Sequence, residues 1–230
     1  MNHQGLRMRA TNVLILLCFL ASLCAWYLGS KGPELVQENL AFSLKNLEAG
    51  RVWTLVTGIF VHANLVHLLG NMIFLYVFGN TLESISADSR RMLFAFFLGG
   101  LLSFLLSIPF FPPDTTFVGA SAAIFTLTAV VMLMKPLRWS WLLLMPVGLV
   151  AVLYFLYNAV AVYYQYQSNV AYISHIIGFS LGLPLGVAWS SQWKRNLLIS
   201  IGLLLIYFVI LFIVTQYVLP SLAGMKLISL

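Results

Sequence analysis

The chain is a succession of long apolar runs separated by short polar breaks. A helix of about 20 apolar residues crosses a hydrocarbon layer about 30 Å thick. On that measure the pattern predicts membrane-crossing helices near 12–29, 65–82, 92–110, 119–134, 140–162, 172–190 and 197–218. The second and fourth runs are short and carry polar residues. Seven such helices with short connections leave no room for a separate water-soluble domain, so the chain reads as one all-α polytopic membrane protein. The first run is too long, and too poorly followed by small residues, for a cleaved signal peptide.

The breaks differ in character. The longest, 30–64, mixes Gly32-Pro33, charged residues and short amphipathic pieces such as Leu40 to Leu47, and continues to Arg51-Val52-Trp53. That mixture suits a segment lying in the membrane interface, with Trp53 at headgroup level. The break at 111–118 is brief and rich in proline. The one near 163–171 carries Tyr163, Tyr164 and Tyr166 with no charge; it reads as an aromatic belt, a cap over a cavity being the alternative. There is no internal repeat and no low-complexity tract.

Composition agrees with the pattern: 61% of residues are hydrophobic, 8% are charged, and the mean hydropathy is +0.97. The net charge of +6 does not imply nucleic acid, because basic residues in membrane proteins collect in cytoplasmic segments. With the N-terminus inside, Arg7, Arg9, Arg90, Arg91, Lys135, Arg138, Lys194 and Arg195 fall inside, against Lys31, Lys45, Arg51 and Lys226 outside. That excess predicts a cytoplasmic N-terminus and, after seven crossings, an external C-terminus. Cys18 and Cys24 lie six apart in the first run, on different faces of a helix. They read as two buried free thiols and do not form a metal-binding spacing.

Candidate chemistry concentrates in one membrane layer. Ser121 opens the fourth run, directly after Gly119-Ala120, and His175 stands near the start of the sixth. His67 and Asn71 lie near the start of the second run; four residues apart, they face the same way. His62 precedes them at the helix mouth. On the assigned topology all of these sit one to two turns below the outer surface. Gly178, Gly182 and Gly186 form a stripe that permits close helix approach, and Gly182 lies about 20° from His175 around the helix. With Gly119, Ala120, Ala122 and Ala123 on the other side, the helices can approach to about 8 Å, which brings a serine hydroxyl within reach of an imidazole. That is the minimum equipment for nucleophilic acyl transfer. An Asn amide supplies donors for a developing oxyanion.

Blander readings exist for each residue. A serine in a membrane helix commonly bonds back to its own backbone, and His67 with Asn71 can be an interhelical polar clamp. A zinc site of His62, His67 and His175 lacks the His-Glu-x-x-His arrangement that gives a metalloprotease its base. Glu83, followed by Asp88, Arg90 and Arg91 at the far end of the second run, reads as an interfacial carboxylate bonded to backbone or to a basic neighbour.

Taken in order, His62-x4-His67-x3-Asn71, Gly119-x-Ser121 and His175-x2-Gly178-x3-Gly182 resemble the six-helix core of the rhomboid family of intramembrane serine proteases, over roughly residues 50–190. The resemblance implies a Ser–His dyad without an aspartate. Ser121 is then the nucleophile, and His175 the general base and acid. The Ser121 N–H, Asn71 and His67 form the oxyanion hole, and Phe125 stacks on the histidine. Gly119, Gly178, Gly182 and His62 support the site. The pattern departs from the family at Ala122, where a second glycine is usual, and in the order Arg51-Val52-Trp53.

The expected division is a cytoplasmic tail at 1–11, a six-helix core at 12–190 and an added helix and tail at 191–230. The expected activity is cleavage of transmembrane segments of other proteins near the outer face. Such a substrate enters sideways by the fifth helix, in the lipid bilayer, with no cofactor, metal or nucleic acid. Two rivals remain. One is an inactive relative that holds membrane clients, favoured by Ala122. The other is a transporter using the histidines and Glu83, disfavoured because no charge lies mid-span.

Overall fold

A computed structural model describes residues 9–166 and 171–219. After the first long helix, α1 (Ala10–Gly29), the 30–64 connection folds into three short helices: α2 (Pro33–Asn39), α3 (Leu44–Glu48) and α4 (Thr54–Phe60). The longer elements follow: α5 (Leu65–Ser86), α6 (Arg90–Ser107), α7 (Ser121–Met134), α8 (Val147–Tyr163), α9 (Tyr172–Trp189) and α10 (Trp193–Ile213). A 3-10 turn, Ile108–Phe110, extends α6, and a π-helical turn, Val214–Val218, extends α10.

α1, α5, α6 with its 3-10 turn, α9 and α10 with its π turn are long and apolar enough to cross a membrane. α7 and α8 are apolar but shorter, at 14 and 17 residues. At 1.5 Å per residue α7 is about 21 Å long, short of an ordinary hydrocarbon layer of about 30 Å. It survives that shortness because it stands at the centre, packed against α5, α6, α8, α9 and α10. Almost every one of its side chains is buried.

Three boundaries move from those expected. The fifth run does not begin at 140: Trp139–Ser140 pairs antiparallel with Met145–Pro146 in a tight hairpin, and α8 starts only at Val147. Pro146 drives this, since the residue before a proline is pushed out of the helical region. The last helix starts at Trp193, earlier than 197, because Lys194 and Arg195 are helical although a hydropathy reading stops at them. Within 30–64, Leu40 to Leu47 is divided between a non-helical stretch at 40–43, which follows α2, and the first four residues of α3. The expectation of two buried thiols is corrected as well. Cys18 is buried but Cys24 is exposed, because α1 is packed on one side only and six residues turn the second cysteine away from it.

In lipid no hydrophobic gradient drives helices together, so close packing and hydrogen bonds must hold them. The tightest approach is between α7 and α9. A methyl group added at Gly178 would overlap the Ala122 carbonyl, and one at Gly182 the Thr126 carbonyl. Thr126 Oγ1 donates to the Gly178 carbonyl at 2.7 Å, bonding the two helices across this contact. Gly99 of α6 closes on the same threonine from the other side. The orphan carbonyls at the end of α7 are met by Asn196 of α10, whose Nδ2 donates to Leu133 O at 2.8 Å and Met134 O at 3.2 Å.

Glu83 acts as a structural clasp at the opposite end of α5. Its carboxylate accepts from the backbone N–H groups of Ala10 and Thr11 and from the hydroxyls of Thr11 and Ser89. A negative charge on the open amides of the α1 N-terminus is favourable there. This ties α1 and the start of α6 to α5.

Gly182→Ala is expected to lower stability by about 1–3 kcal/mol through overpacking. Gly202→Ala on α10, where an added methyl meets nothing within 4 Å, is expected to stay within about 0.5 kcal/mol of the parent. Unfolding of the two purified variants in a denaturing detergent titration measures both.

Candidate active site

The segment before Ser121 is built by backbone pairing. Phe117 N–H donates to Phe42 O at 2.7 Å, and Phe42 N–H returns the bond to Phe117 O at 3.1 Å. Gly119 N–H donates to Gly58 O at 2.8 Å. The 30–64 connection thereby holds the strand that delivers the serine. Rings reinforce the pairing, with Phe42 stacked on Phe104 at 5.6 Å and tilted against Phe117 at 6.1 Å.

Gly119 then turns the chain with φ 113°, a region open to glycine. A side chain there would also strike the His67 ring, at 2.8 Å from Cε1. The turn therefore needs glycine twice over, for its dihedral and for its closeness to α5. Ala120 caps α7 with its backbone already in the helical region, and Ser121 is the first residue of the helix. The first amides of a helix have no partner within it, so the Ser121 N–H belongs to this open set.

The structure brings together Ser121, His175, Phe125, His67 and Asn71. Ser121 Oγ lies 2.7 Å from His175 Nε2. His175 is 6% exposed. The Phe125 ring lies parallel to the imidazole, 4.7 Å away and 11° from coplanar. His67, Asn71, Ser121, Ala122 and His175 line one cavity of about 510 Å³, a size that suits a small ligand or part of a larger one. Among the described residues no Asp, Glu, Lys or Arg lines it. Asn71 Nδ2 is buried there without a hydrogen-bond partner among the described residues. A buried unpaired donor costs about 1–3 kcal/mol, so a free amide facing a cavity is a feature that needs a reason.

His62 and Gly182 sit elsewhere. His62 is fully buried and spends its ring on the protein: Nδ1 lies 3.1 Å from both Ser22 Oγ and Phe60 O, and the Ala120 N–H donates to Nε2 at 3.4 Å. Its carbonyl accepts from Trp26 Nε1 at 2.7 Å. It thus joins α1 to the residue before the serine, with its ring 5.1 Å from that of His67. Among the described residues no three His, Cys, Asp or Glu side chains are grouped to hold a metal ion. Gly182 lies two turns along α9 from His175, in the packing seam.

Two residues of α8 join the site without having been singled out from the sequence. Asn158 Oδ1 lies 2.7 Å from His175 Nδ1. Tyr154, one turn earlier, stacks on Phe125 at 4.4 Å, so that Phe125 is sandwiched between tyrosine and histidine. One signal was available: Asn158 is an uncharged polar residue inside an apolar run, four residues after an aromatic one. Nothing in the sequence says which neighbour such a face meets. Of the 163–171 segment, residues 167–170 lie outside the described residues.

A family model described as the Rhomboid domain matches residues 49–192, more than half of the chain. The chain is also similar to Rhomboid-like protein 11, chloroplastic, of Arabidopsis thaliana, with 38% identity over 89 residues. That stretch covers 37% of this chain and 30% of the relative, so less than a third of that protein is matched. The matched domain takes in the glycine turn, the serine at the head of α7 and the histidine of α9: the chain belongs to the rhomboid family.

Proposed function

We propose that this protein is an intramembrane serine endopeptidase that cuts transmembrane segments of other membrane proteins. The observation that carries the reading is the 2.7 Å approach of Ser121 Oγ to His175 Nε2 beside a cavity that also holds the unpaired Asn71 amide. Membership of a family of intramembrane serine proteases supports it.

In this reading His175 takes the Ser121 proton as the hydroxyl oxygen attacks the scissile carbonyl carbon. The carbonyl π bond breaks to give a tetrahedral oxyanion. Three donors serve it: the open Ser121 N–H, Asn71 Nδ2 and the His67 ring. Such donors count most where water is scarce and the dielectric low. His175 then passes its proton to the amine as the C–N bond breaks, leaving an acyl-serine. Water, activated by the same histidine, releases the second product. The chemistry needs no cofactor. Phe125 and Tyr154 hold the imidazole plane, and Gly119 keeps the nucleophile against α5.

The same reading takes all seven longer helices as membrane crossings, six forming the core and α10 added to them. The tail at 1–11 is then cytoplasmic, the C-terminus external, and the site opens to the outer side. The basic residues near the ends of α1, α6, α7 and α10 support that orientation. Because α7 is about 21 Å long, a serine at its first residue lies below the membrane surface. Water must therefore reach it through the cavity, and a substrate must come sideways from lipid past α8. The rival reading, a relative that binds clients without cutting, draws support from Ala122 beside the serine.

Purified protein is expected to cleave a model transmembrane substrate in detergent and to be labelled by a fluorophosphonate. Both activities should vanish in folded Ser121→Ala, and cleavage in His175→Ala. Cleavage that survives Ser121→Ala would sink the serine-protease reading; no cleavage and no labelling of the parent would favour client binding. Asn71→Ala is expected to reduce turnover about a hundredfold, as loss of one oxyanion donor does. Its melting temperature should be unchanged or raised, since the substitution removes an unpaired buried donor. A fall in melting temperature with turnover intact would make Asn71 a packing residue instead.

A further inference from the structure

His175 has two ring nitrogens, and a neutral imidazole carries a proton on only one of them. It can accept the serine proton only if that one is Nδ1. The family resemblance supplies no third residue to decide the matter, but the structure places Asn158 on it. Asn158 is 1% exposed, on α8, between two fixed partners. One end of its amide lies 2.8 Å from the Tyr154 carbonyl oxygen, and the other lies 2.7 Å from His175 Nδ1.

The Tyr154 carbonyl can only accept, so the atom facing it is Nδ2 and the atom facing His175 is Oδ1. The reverse orientation sets two acceptors against each other. An oxygen at 2.7 Å from Nδ1 accepts from an N–H, which puts the imidazole proton on Nδ1 and leaves Nε2 with a free lone pair. That lone pair faces Ser121 Oγ at 2.7 Å. A backbone carbonyl of α8 thus fixes the amide, the amide fixes the tautomer, and the tautomer makes His175 a base towards Ser121.

We propose that Asn158 is a positioning residue that holds His175 in its base tautomer, completing a Ser121–His175–Asn158 relay across α7, α9 and α8. The proposal rests on the reading of Ser121 and His175 as nucleophile and base. The amide is uncharged, so it orients the ring without adding a counter-charge for the imidazolium. With Tyr154 on the same turn stacked against Phe125, α8 sets both the plane and the protonation of the histidine. A shift of α8 by about 1 Å is enough to weaken a positioned catalytic group substantially.

The test is made on the full-length protein in detergent. Asn158→Leu, close in volume and unable to accept, is expected to lose about ten- to hundredfold in kcat, the scale of a misplaced catalytic group, with KM nearly unchanged. Asn158→Asp, which restores an acceptor, is expected to recover most of that loss. Nitrogen-15 NMR of labelled histidine, with the His175 signal assigned by its disappearance in His175→Ala, should find the proton on Nδ1 in the parent and a mixture of tautomers in Asn158→Leu. A merely structural asparagine would move the melting temperature but not the tautomer. Unchanged kcat in folded Asn158→Leu, or a parent His175 protonated on Nε2, overturns the proposal. If Asn158→Leu does not fold, the parent tautomer alone decides. If the parent neither cleaves nor labels, the protease reading falls, and the same spectrum still decides whether Asn158 holds the ring.

Discussion

The close approach of α7 to α9 sets the geometry on which everything else here depends. Lipid offers no reward for merely bringing apolar helices together, so contact must come from shape and from hydrogen bonds that have no better partner. Glycine at 178 and 182 removes the side chains that would keep the α7 backbone away, and the Thr126 hydroxyl bonds to the Gly178 carbonyl across the gap. Ser121 stands one residue before Ala122, and His175 three before Gly178. The contact that joins the helices therefore also sets the separation of hydroxyl and imidazole. A side chain at either glycine would spread the pair before it touched either of its members.

A short helix at the centre of a bundle has two exposed problems, its ends, and each is solved by a polar residue borrowed from elsewhere. At one end Asn196 of α10 meets the last carbonyls. At the other the pairing of Phe42 with Phe117 and of Gly58 with Gly119 aligns the approach, and His62 accepts from the Ala120 N–H. Ala120 is anchored, whereas the Ser121 amide opens a helix whose first turn has no internal acceptors. Beside it Asn71 Nδ2 is buried without a partner among the described residues. Unpaired donors of this kind are costly in a static fold, and they are what a developing oxyanion requires.

α8 is joined to this centre by its aromatic and amide side chains. Tyr154 extends the ring stack of Phe125 and His175, and Asn158 meets the nitrogen of His175 that faces away from the serine. Phe74 of α5 contacts the same tyrosine at 4.6 Å, so the stack runs from α5 to α9. The imidazole is thus fixed in plane by aromatic faces and in rotation by hydrogen bonds at both nitrogens. Such double fixation would suit the base and acid role proposed for this histidine, which requires it to pass a proton in two directions.

The apolar runs alone determined that the chain is helical and membrane-embedded, because length and hydropathy suffice for that inference. Spacing placed Ser121, His175, His67 and Asn71 in one layer, and the small residues around them pointed to close packing. The hairpin at Trp139–Ser140 and Met145–Pro146 was less legible, since apolar content hides a turn that a proline imposes from within the run. Cys24 was misjudged because hydropathy does not tell a face turned to lipid from one turned to protein. The places of Asn158 and Tyr154 beside His175 and Phe125 emerged only in the tertiary structure. A helix repeats every 3.6 residues and its polar positions can be read off, but its rotation and partners follow from packing among all the helices at once. Which nitrogen of a histidine an amide reaches is set by that rotation, and no spacing in the sequence records it.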